Sequence, residues 1–292
     1  TGPFDLSPDE AHYWEWSRHL DWSYYSKGPL IAWLIRAGTF LFGNTVLGVR
    51  FFAVALSALS SLVLYYLGAE LYGERAGFFS AVLVQAVPLY SVFGVLLTID
   101  SPSIFFWILS LYLFWKAVEQ SPAGRDRIGY WILLGLAAGL GLLAKYTMAF
   151  FFMSGFLFLL FDRDSRRLLL SKGPYVATLV SVVIFSPVIF WNARNGWVTV
   201  KHTAGQAHIQ DGLTFSAGHF FEFLGSQLGV VTPVLFVAMF IALWRLRRDR
   251  KGTFLLSFSA PVLLFFLLKS IQGKVQANWA LPAYAAGFIG FA

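Results

Sequence analysis

Cysteine is absent from the 292 residues, so the chain has no disulfide, and cysteine usage gives no indication of the redox compartment. Charged residues are scarce, at 13% of the sequence, whereas soluble domains carry about 25%. Hydrophobic residues make up 58% and the mean hydropathy is +0.66. This combination excludes an ordinary soluble domain and predicts a chain solvated largely by lipid.

Several sequence patterns of common active sites are also missing. The chain has no His, Cys and Glu spacing typical of zinc sites, no glycine-rich phosphate loop and no Gly-x-Ser-x-Gly elbow. The sequence therefore gives no support to a nucleotide-sugar or ATP site, and no metal ligand is predicted.

Long apolar runs with few charges dominate the sequence. Spans are predicted at 45–69, 76–98, 102–118, 128–144, 147–161, 174–191, 229–246, 253–268 and 277–292. A shorter run, 29–43, begins with Pro29 and contains Arg36, which predicts a helix lying in or near the membrane interface. We therefore predict an all-α polytopic membrane protein with about ten hydrophobic helices.

The Lys and Arg residues divide unevenly between the two sides of the predicted membrane. If the spans alternate, thirteen of the 22 basic residues and seven of the 15 acidic residues share one side, which gives +6 there and about +1 on the other side. An excess of Lys and Arg marks the cytoplasmic side. The net charge of +7 therefore indicates membrane topology, and no nucleic-acid partner is predicted.

The opposite, outer side receives the longer connections. They are residues 1–44, 98–101, 145–147, 192–228 and 269–276, and they hold all five His residues, at positions 12, 19, 202, 208 and 219. Long structured loops are where function is expected. We predict one transmembrane domain over 1–292, with an outer catalytic loop at 1–44 that contains interfacial helices, and transmembrane helices over 45–292 interrupted by the outer loop 192–228.

A helix start near the N-terminus carries the first candidate residues. Ser7 and Glu10, with a proline at the first helical position, predict a capping box, so Glu10 is either a cap or a catalytic group. Asp9 lies at the second helical position, where the helix dipole favours the charged form that a general base or charge stabiliser needs. Helical spacing predicts that Asp9 shares a face with His12 and Tyr13.

Further charged residues lie at outer span ends. Asp100 either caps the next helix, as Ser101 also could, or supplies a second catalytic carboxylate. The outer basic and imidazole groups are Lys27, Lys145, Lys201, His202 and Lys274. Each lysine alone is typical of a membrane-interface anchor. Together with the carboxylates, they predict a site that holds a phosphate while a carboxylate acts on a sugar or acceptor.

Two segments resemble a known family. Leu6-Ser7-Pro8-Asp9-Glu10-Ala11-His12-Tyr13-Trp14 and Tyr24-Tyr25-Ser26-Lys27-Gly28-Pro29-Leu30 are similar to the bacterial polyprenyl-phosphate-dependent glycosyltransferases. These are relatives of protein O-mannosyltransferase and of the lipid A aminoarabinose transferase, are glycosyltransferase family 39-like, and have the C-type membrane fold. The resemblance continues through Asp100, Lys145, Trp191-Asn192 and Lys274 to Pro282, and so covers nearly the whole chain.

The resemblance implies transfer of a sugar from a polyprenyl phosphate to a glycan, lipid or protein acceptor, at the periplasmic face of the bacterial inner membrane. It implies that Asp9 is the catalytic carboxylate, that Tyr24 and Lys27 lie near the donor phosphate or acceptor, and that Lys145 contacts a phosphate. Family members have a span before the Asp-Glu loop, so we expect a sequence truncated at both ends. Some relatives hold a divalent metal through a Glu that is Ser26 here, which weakens the case for a metal.

A transporter or flippase for a lipid or small anion is the alternative, with the outer cations as its binding site. Such a protein is expected to carry ionisable residues in the middle of several spans. Here the charges cluster at span ends, Gln85 is one of few polar residues deeper in the membrane, and no internal repeat is evident.

Overall fold

The computed structural model describes residues 6–120, 128–206 and 216–292. Within these ranges it contains fourteen α-helices and no strand, which confirms the all-α prediction. The helices are α1 Pro8–Arg18, α2 Leu30–Phe42, α3 Val46–Tyr72, α4 Glu74–Ala86, α5 Pro88–Val95, α6 Asp100–Gln120, α7 Ile128–Ala144, α8 Ala149–Phe161, α9 Lys172–Arg194, α10 Val198–Gln206, α11 Ala217–Val231, α12 Pro233–Leu246, α13 Arg250–Ser270 and α14 Pro282–Phe291. The predicted cytoplasmic Arg125, Asp126 and Arg127, the predicted outer His208, and residues 1–5 and 207–215 of the predicted outer segments lie outside the described residues.

Four helices are long and apolar enough to cross a membrane, namely α3, α6, α9 and α13. Six crossings result if each of the bent pairs α4–α5 and α11–α12 forms one span, while α2, α7 and α8 are shorter apolar helices. A multi-pass membrane protein is therefore confirmed. The predicted total of about ten hydrophobic helices stays a prediction.

Two predicted spans are bent at a break between two α-helices, and a third, 277–292, consists of a 3-10 helix at Ala277–Ala280 followed by the short helix α14. The run 76–98 is broken into α4 and α5, which meet at 71°, because Pro88 lacks the N–H that would continue the helical ladder. The run 229–246 is the second part of a longer pair in which α11 turns by 93° into α12. Thr232 lies at this turn with a φ of 67°, and Pro233 begins α12. The described residues of the predicted outer loop 192–228 are largely helical, since they include α10 and most of α11.

The buried core is rich in aromatic side chains from α6, α8 and α13. Trp107 packs edge-on against Phe151 with ring centroids 5.4 Å apart, and Phe258 contacts Phe151 at 4.9 Å. All three side chains are buried. Large apolar residues such as Phe40 and Leu179 are exposed on the outside of the bundle, as expected where lipid is the solvent.

The segment before α2 packs closely against the end of α7. At Gly28, an added Cβ would collide with the backbone carbonyl of Leu143, so only glycine fits at this crossing. The helix α2 that follows confirms the helix predicted over 29–43. This close approach brings Lys27 to the outer end of α7, next to Lys145.

Candidate active site

A cavity of about 690 Å³ lies at the end of the bundle that the sequence places outside. Its charged and imidazole lining residues are Asp9, His12, Lys27, Asp100, Lys145, His202 and Lys274. Six of the nine predicted site residues therefore meet in one cavity. The other three, Glu10, Tyr24 and Lys201, do not line it.

Helix α1 presents Asp9 to this cavity, and its N-terminus has the predicted capping box. The Glu10 N–H donates to Ser7 Oγ at 3.3 Å, and the Ser7 N–H donates to Glu10 Oε2 at 2.9 Å. Asp9 and Tyr13 line the cavity together with His12, which confirms the predicted shared face. Burial, together with the negative charges of Asp9 and Asp100, raises the pKa of Tyr13, so its phenol stays protonated beside the carboxylates.

Glu10 is fully buried behind the cavity and is held by α3. Its Oε1 accepts from Arg50 Nε at 2.7 Å, and its Oε2 accepts from Arg50 Nη2 at 2.7 Å. Oε1 also accepts from the Leu97 N–H at 3.2 Å. Burial alone would raise the pKa of Glu10, but Arg50 and the N–H groups of Ser7 and Leu97 outweigh it and hold the pKa below its ordinary value. One carboxylate thus ties the helix that carries Asp9 to the turn that precedes Asp100.

Asp100 and Lys145 form a buried ion pair in the cavity wall. Lys145 Nζ donates to Asp100 Oδ1 at 2.6 Å, and Asn278 Nδ2 donates to Asp100 Oδ2 at 2.9 Å. Lys145 Nζ also lies 3.4 Å from the Asn278 carbonyl oxygen. The Asp100 carboxylate is therefore directed at a cation, although Asp100 is also the first residue of α6. Asn278, which the sequence did not single out, completes this triad.

Lys27 is the cation that faces both carboxylates of the cavity. Its Nζ lies 3.4 Å from Gln206 Oε1. Burial and the nearby charge of Lys145 lower the pKa of Lys27, and the carboxylates of Asp100 and Asp9 offset only part of this effect. An anion in the cavity would supply the counter-charge that favours the protonated form.

Tyr24 shapes the loop that carries Lys27 and does not itself reach the cavity. Its hydroxyl lies 3.1 Å from the carbonyl oxygens of Trp16 and His19, and its ring stacks on Trp16 at 4.4 Å. The Tyr24 N–H donates to the Lys27 carbonyl oxygen at 3.1 Å. The hydroxyl of Tyr24 is thus bonded to the backbone, and its predicted place near the donor or acceptor stays a prediction.

Helix α10 closes another side of the cavity. Thr199 Oγ1 donates to the Tyr24 carbonyl oxygen at 2.7 Å, which fastens α10 to the first outer segment. His202 lines the cavity and contacts the Tyr25 ring at 4.7 Å, and burial together with Lys27 lowers the pKa of His202. Lys201 is exposed and does not line the cavity.

Lys274 lies at the rim of the cavity. Its Nζ is 2.8 Å from Glu222 Oε1, and both side chains are more than half exposed. An exposed pair of this kind is weak. Lys274 therefore remains able to turn toward an anion in the cavity.

An apolar groove of about 470 Å³ continues from the cavity toward α8 and α13. It shares Lys27 and Lys145 with the cavity, and Phe150, Phe265 and Phe266 line its apolar part. Lys269 lies in the same groove and donates from Nζ to Gln272 Oε1 at 2.9 Å. Lys269 was not predicted as a site residue, although it lies at the end of a span, as Lys145 does. The groove and the cavity together fit an amphiphile with an anionic head and a hydrocarbon tail.

Metal ligands were not predicted, and the described ranges contain no group of three or more His, Cys, Asp or Glu side chains placed to hold a metal ion.

The fold is that of the C-type membrane glycosyltransferases. The chain aligns over 98% of its length with 55% of ArnT from Cupriavidus metallidurans bound to undecaprenyl phosphate, with a TM-score of 0.77 and 21% identity. It also aligns over 98% of its length with 46% of the Archaeoglobus fulgidus oligosaccharyltransferase, with a TM-score of 0.63 and 13% identity. These likenesses confirm the predicted architecture.

Sequence similarity shows the family to which the chain belongs. Residues 26–191, more than half of the chain, match the dolichyl-phosphate-mannose-protein mannosyltransferase family, and the chain belongs to it. It is 32% identical over 290 residues to the lipid A galacturonosyltransferase RgtD of Rhizobium johnstonii, covering 98% of this chain and 59% of the relative. It is 28% identical over 306 residues to the undecaprenyl phosphate-alpha-4-amino-4-deoxy-L-arabinose arabinosyl transferase of Erwinia tasmaniensis, covering 95% and 53%. The chain thus spans little more than half the length of these relatives.

Proposed function

We propose that this chain forms the catalytic membrane core of a glycosyltransferase that moves a sugar from a polyprenyl phosphate to lipid A, another lipid or a protein. The observation that carries the proposal is the shared cavity of Asp9 and Lys27, which opens into an apolar groove. The two relatives described above are named as transferases, which favours this function over the transporter alternative.

In this proposal the groove holds the polyprenyl tail and the lysines hold the phosphate. Lys27 lies where the groove meets the polar cavity and Lys269 lies in the groove, so we expect their ammonium groups to bind the phosphate and to stabilise its charge as it leaves. A phosphate held this way is a competent leaving group without a nucleotide.

Asp9 acts as the base on the acceptor. The acceptor hydroxyl oxygen attacks the anomeric carbon and passes its proton to the Asp9 carboxylate, while the carbon–oxygen bond to the phosphate breaks and the polyprenyl phosphate departs with the electron pair. Asp100 is already engaged by Lys145 and Asn278, so Asp9 is the carboxylate available for this step. We place the site at the periplasmic face of the bacterial inner membrane, since thirteen of the 22 basic residues, and a net charge of +6, are predicted at the other end of the spans.

The proposal is tested with full-length protein in proteoliposomes, a labelled polyprenyl-phosphate sugar and a membrane extract as the acceptor. Asp9→Asn is expected to lower transfer by about 100-fold or more, with unchanged expression and binding of polyprenyl phosphate. Glu15→Gln is the matched control, because Glu15 lies on the same helix but is exposed and outside the cavity. Full transfer by Asp9→Asn would remove Asp9 from the mechanism, and no transfer by the wild-type protein from any of several donors would reject the function.

A further inference from the structure

An apolar groove of about 220 Å³, which we call the distal groove, lies in the half of the bundle away from the candidate active site. Side chains of α6, α7, α8 and α9 line it, among them Phe156 and Leu159, and the 3-10 helix Arg166–Leu170 contributes Leu169. Tyr175 also lines the groove, and its hydroxyl donates to the Leu169 carbonyl oxygen at 2.7 Å. Among the described residues, the distal groove shares no lining residue with the polar cavity or the donor groove.

The loop that joins α8 to α9 is strongly basic. The exposed charged residues between positions 162 and 172 are four cations and one carboxylate, a net charge of +3, namely Arg163, Arg166, Arg167, Lys172 and Asp164. Asp162 does not offset this charge, because it is buried and lies 3.3 Å from Arg250 Nε. The exposed surface of the loop is therefore suited to an anion.

The cations of this loop lie beside the distal groove. Arg166 Nε donates to the carbonyl oxygen of Leu160 at 3.0 Å, next to a residue that lines the groove. This bond occupies one of the five N–H donors of a guanidinium. Arg167 and Lys172 each precede a lining residue, Leu169 and Pro174 respectively, by two positions. Cations beside an apolar groove match a lipid with an anionic headgroup.

Exposed apolar side chains favour a lipid over an acidic protein as the partner of this surface. Leu170, at the end of the 3-10 helix, is 92% exposed, and Phe161, at the end of α8, is 64% exposed. Large apolar side chains next to arginines are typical of segments at a membrane interface, where the headgroups of one leaflet lie.

We propose that the distal groove is a binding site for one anionic glycerophospholipid of the adjoining leaflet. An acyl chain lies against Phe156 and Tyr175, and the phosphate is held by Arg166, Arg167 and Lys172. The site does not rest on the proposed function, because α8 runs from the candidate active site to the opposite end of the bundle, and lipid binding requires no sugar transfer.

The charge is tested by native mass spectrometry of the full-length protein in detergent, mixed with equal amounts of phosphatidylglycerol and phosphatidylcholine that have the same acyl chains. Each Lys or Arg near an anionic lipid surface strengthens binding by about fivefold, so a net charge of three predicts a preference for phosphatidylglycerol of about 100-fold. Arg166→Gln with Arg167→Gln is expected to lower this preference by about 25-fold.

The matched control is Arg245→Gln with Arg248→Gln. It removes two exposed arginines from the α12–α13 loop, outside the groove lining, and is expected to keep the preference. Equal retention of the two phospholipids by the wild-type protein, or equal losses in the two double variants, would overturn the proposal.

The groove is tested by filling it. Thr178 lines the distal groove and is exposed, so Thr178→Trp places an indole where the acyl chain lies. Leu179→Trp is the control, because Leu179 is exposed but does not line the groove. Thr178→Trp is expected to lower phosphatidylglycerol binding by about tenfold, the effect of excluding roughly two methylene groups. No loss in Thr178→Trp, or an equal loss in the control, would place the lipid elsewhere and overturn the proposal.

Polyprenyl phosphate is the competing anionic lipid. Added together with phosphatidylglycerol, it is expected to give protein that carries one molecule of each, because the two lipids occupy different grooves. Displacement of phosphatidylglycerol, one for one, would assign the distal groove to polyprenyl phosphate and overturn the proposal. Preferential retention of phosphatidylglycerol by a protein that binds no polyprenyl phosphate would count against the proposed function and support the distal site.

Discussion

Glu10 and Arg50 form a bidentate ion pair with both contacts at 2.7 Å, forty residues apart in the chain. The pair lies behind the cavity and not in it, so its effect on chemistry is exerted through the position of neighbouring groups. Asp9 precedes Glu10 directly, and the Leu97 N–H that binds Glu10 lies in the turn before Asp100. The second acidic residue of the pair Asp9-Glu10 is thus a positioning residue in our interpretation.

Glu10→Gln is expected to lower kcat with little change in the donor KM, because Asp9 loses its fixed position while the donor contacts remain. Loss of one partner of a buried pair should also destabilise the protein by about 3 kcal/mol. Transfer kinetics and thermal unfolding in detergent measure the two effects. Glu15→Gln, on the exposed side of α1, is the control and should behave as wild type. A kcat unchanged in Glu10→Gln would contradict the positioning role.

The lowered pKa of Glu10 also predicts that the free energy of unfolding falls at acid pH. A carboxyl group whose folded pKa lies below its unfolded value stabilises the fold fully above the unfolded value, here 4.5, and this contribution is lost as the pH falls through the lower folded pKa. The free energy of unfolding of the wild type should therefore fall on acidification below 4.5. The same measurement on Glu10→Gln should show a shallower fall. If the free energy of unfolding falls equally steeply with pH in both proteins, other carboxyl groups account for the loss of stability in acid.

Asp100 and Lys145 should show strong coupling in stability. Lys145→Met leaves a buried carboxylate without its cation, and Asp100→Asn leaves a buried ammonium without its anion, so each change should destabilise the protein by about 3–5 kcal/mol. The double variant should be destabilised by much less than the sum, because neither charge is then left alone. Unfolding of the four proteins in detergent gives the coupling energy. Additive effects would show that the two groups do not interact energetically.

Donor binding should weaken at alkaline pH because of Lys27. Its pKa is lowered from an ordinary value of 10.5, so the ammonium that binds the phosphate is lost at a lower pH than for a free lysine. The affinity for polyprenyl phosphate is expected to fall as the pH rises through this lowered pKa. Lys27→Arg is the control, because a guanidinium keeps its charge over this range and should flatten the profile. The same profile in both proteins would assign the titration to another group.

Lys269 is expected to contribute to donor binding. Lys269→Gln removes a cation from the apolar groove and should raise the donor KM by about tenfold, the effect of losing one hydrogen bond to a charged group. Lys201→Gln removes the same charge from the exposed side of α10 and is the control. If both variants raise the donor KM equally, the effect is one of general surface charge and not of the groove.

The local features of the site were predictable from the sequence. The capping box at Ser7 and the shared face of Asp9, His12 and Tyr13 follow from residue spacing within one helix. The apolar runs likewise predicted the helices, since hydrophobic length is a property of neighbouring residues. These predictions needed no knowledge of how the helices pack.

The contacts between distant segments were not predictable. Asn278 binds Asp100 across 178 residues, and a sequence pattern carries no sign of such a contact. The bends at Pro88 and Thr232 depend on packing as well as on proline, since Pro187 and Pro261 lie inside unbroken helices. Tyr24 shows most clearly what the sequence could not predict. Its position in a family motif indicated substrate contact, whereas its hydroxyl is bonded to the backbone.

The triad of Asp100, Lys145 and Asn278 also sets an order of events during biosynthesis. These residues come from the start of α6, the end of α7 and the segment before α14, so the wall of the cavity is incomplete until residue 278 has left the ribosome. A chain inserted only as far as α12 exposes Asp100 and Lys145 without their third partner. Helix insertion therefore precedes site assembly, and under the proposed function we expect no action on the lipid carrier before nearly all of these spans are in the membrane.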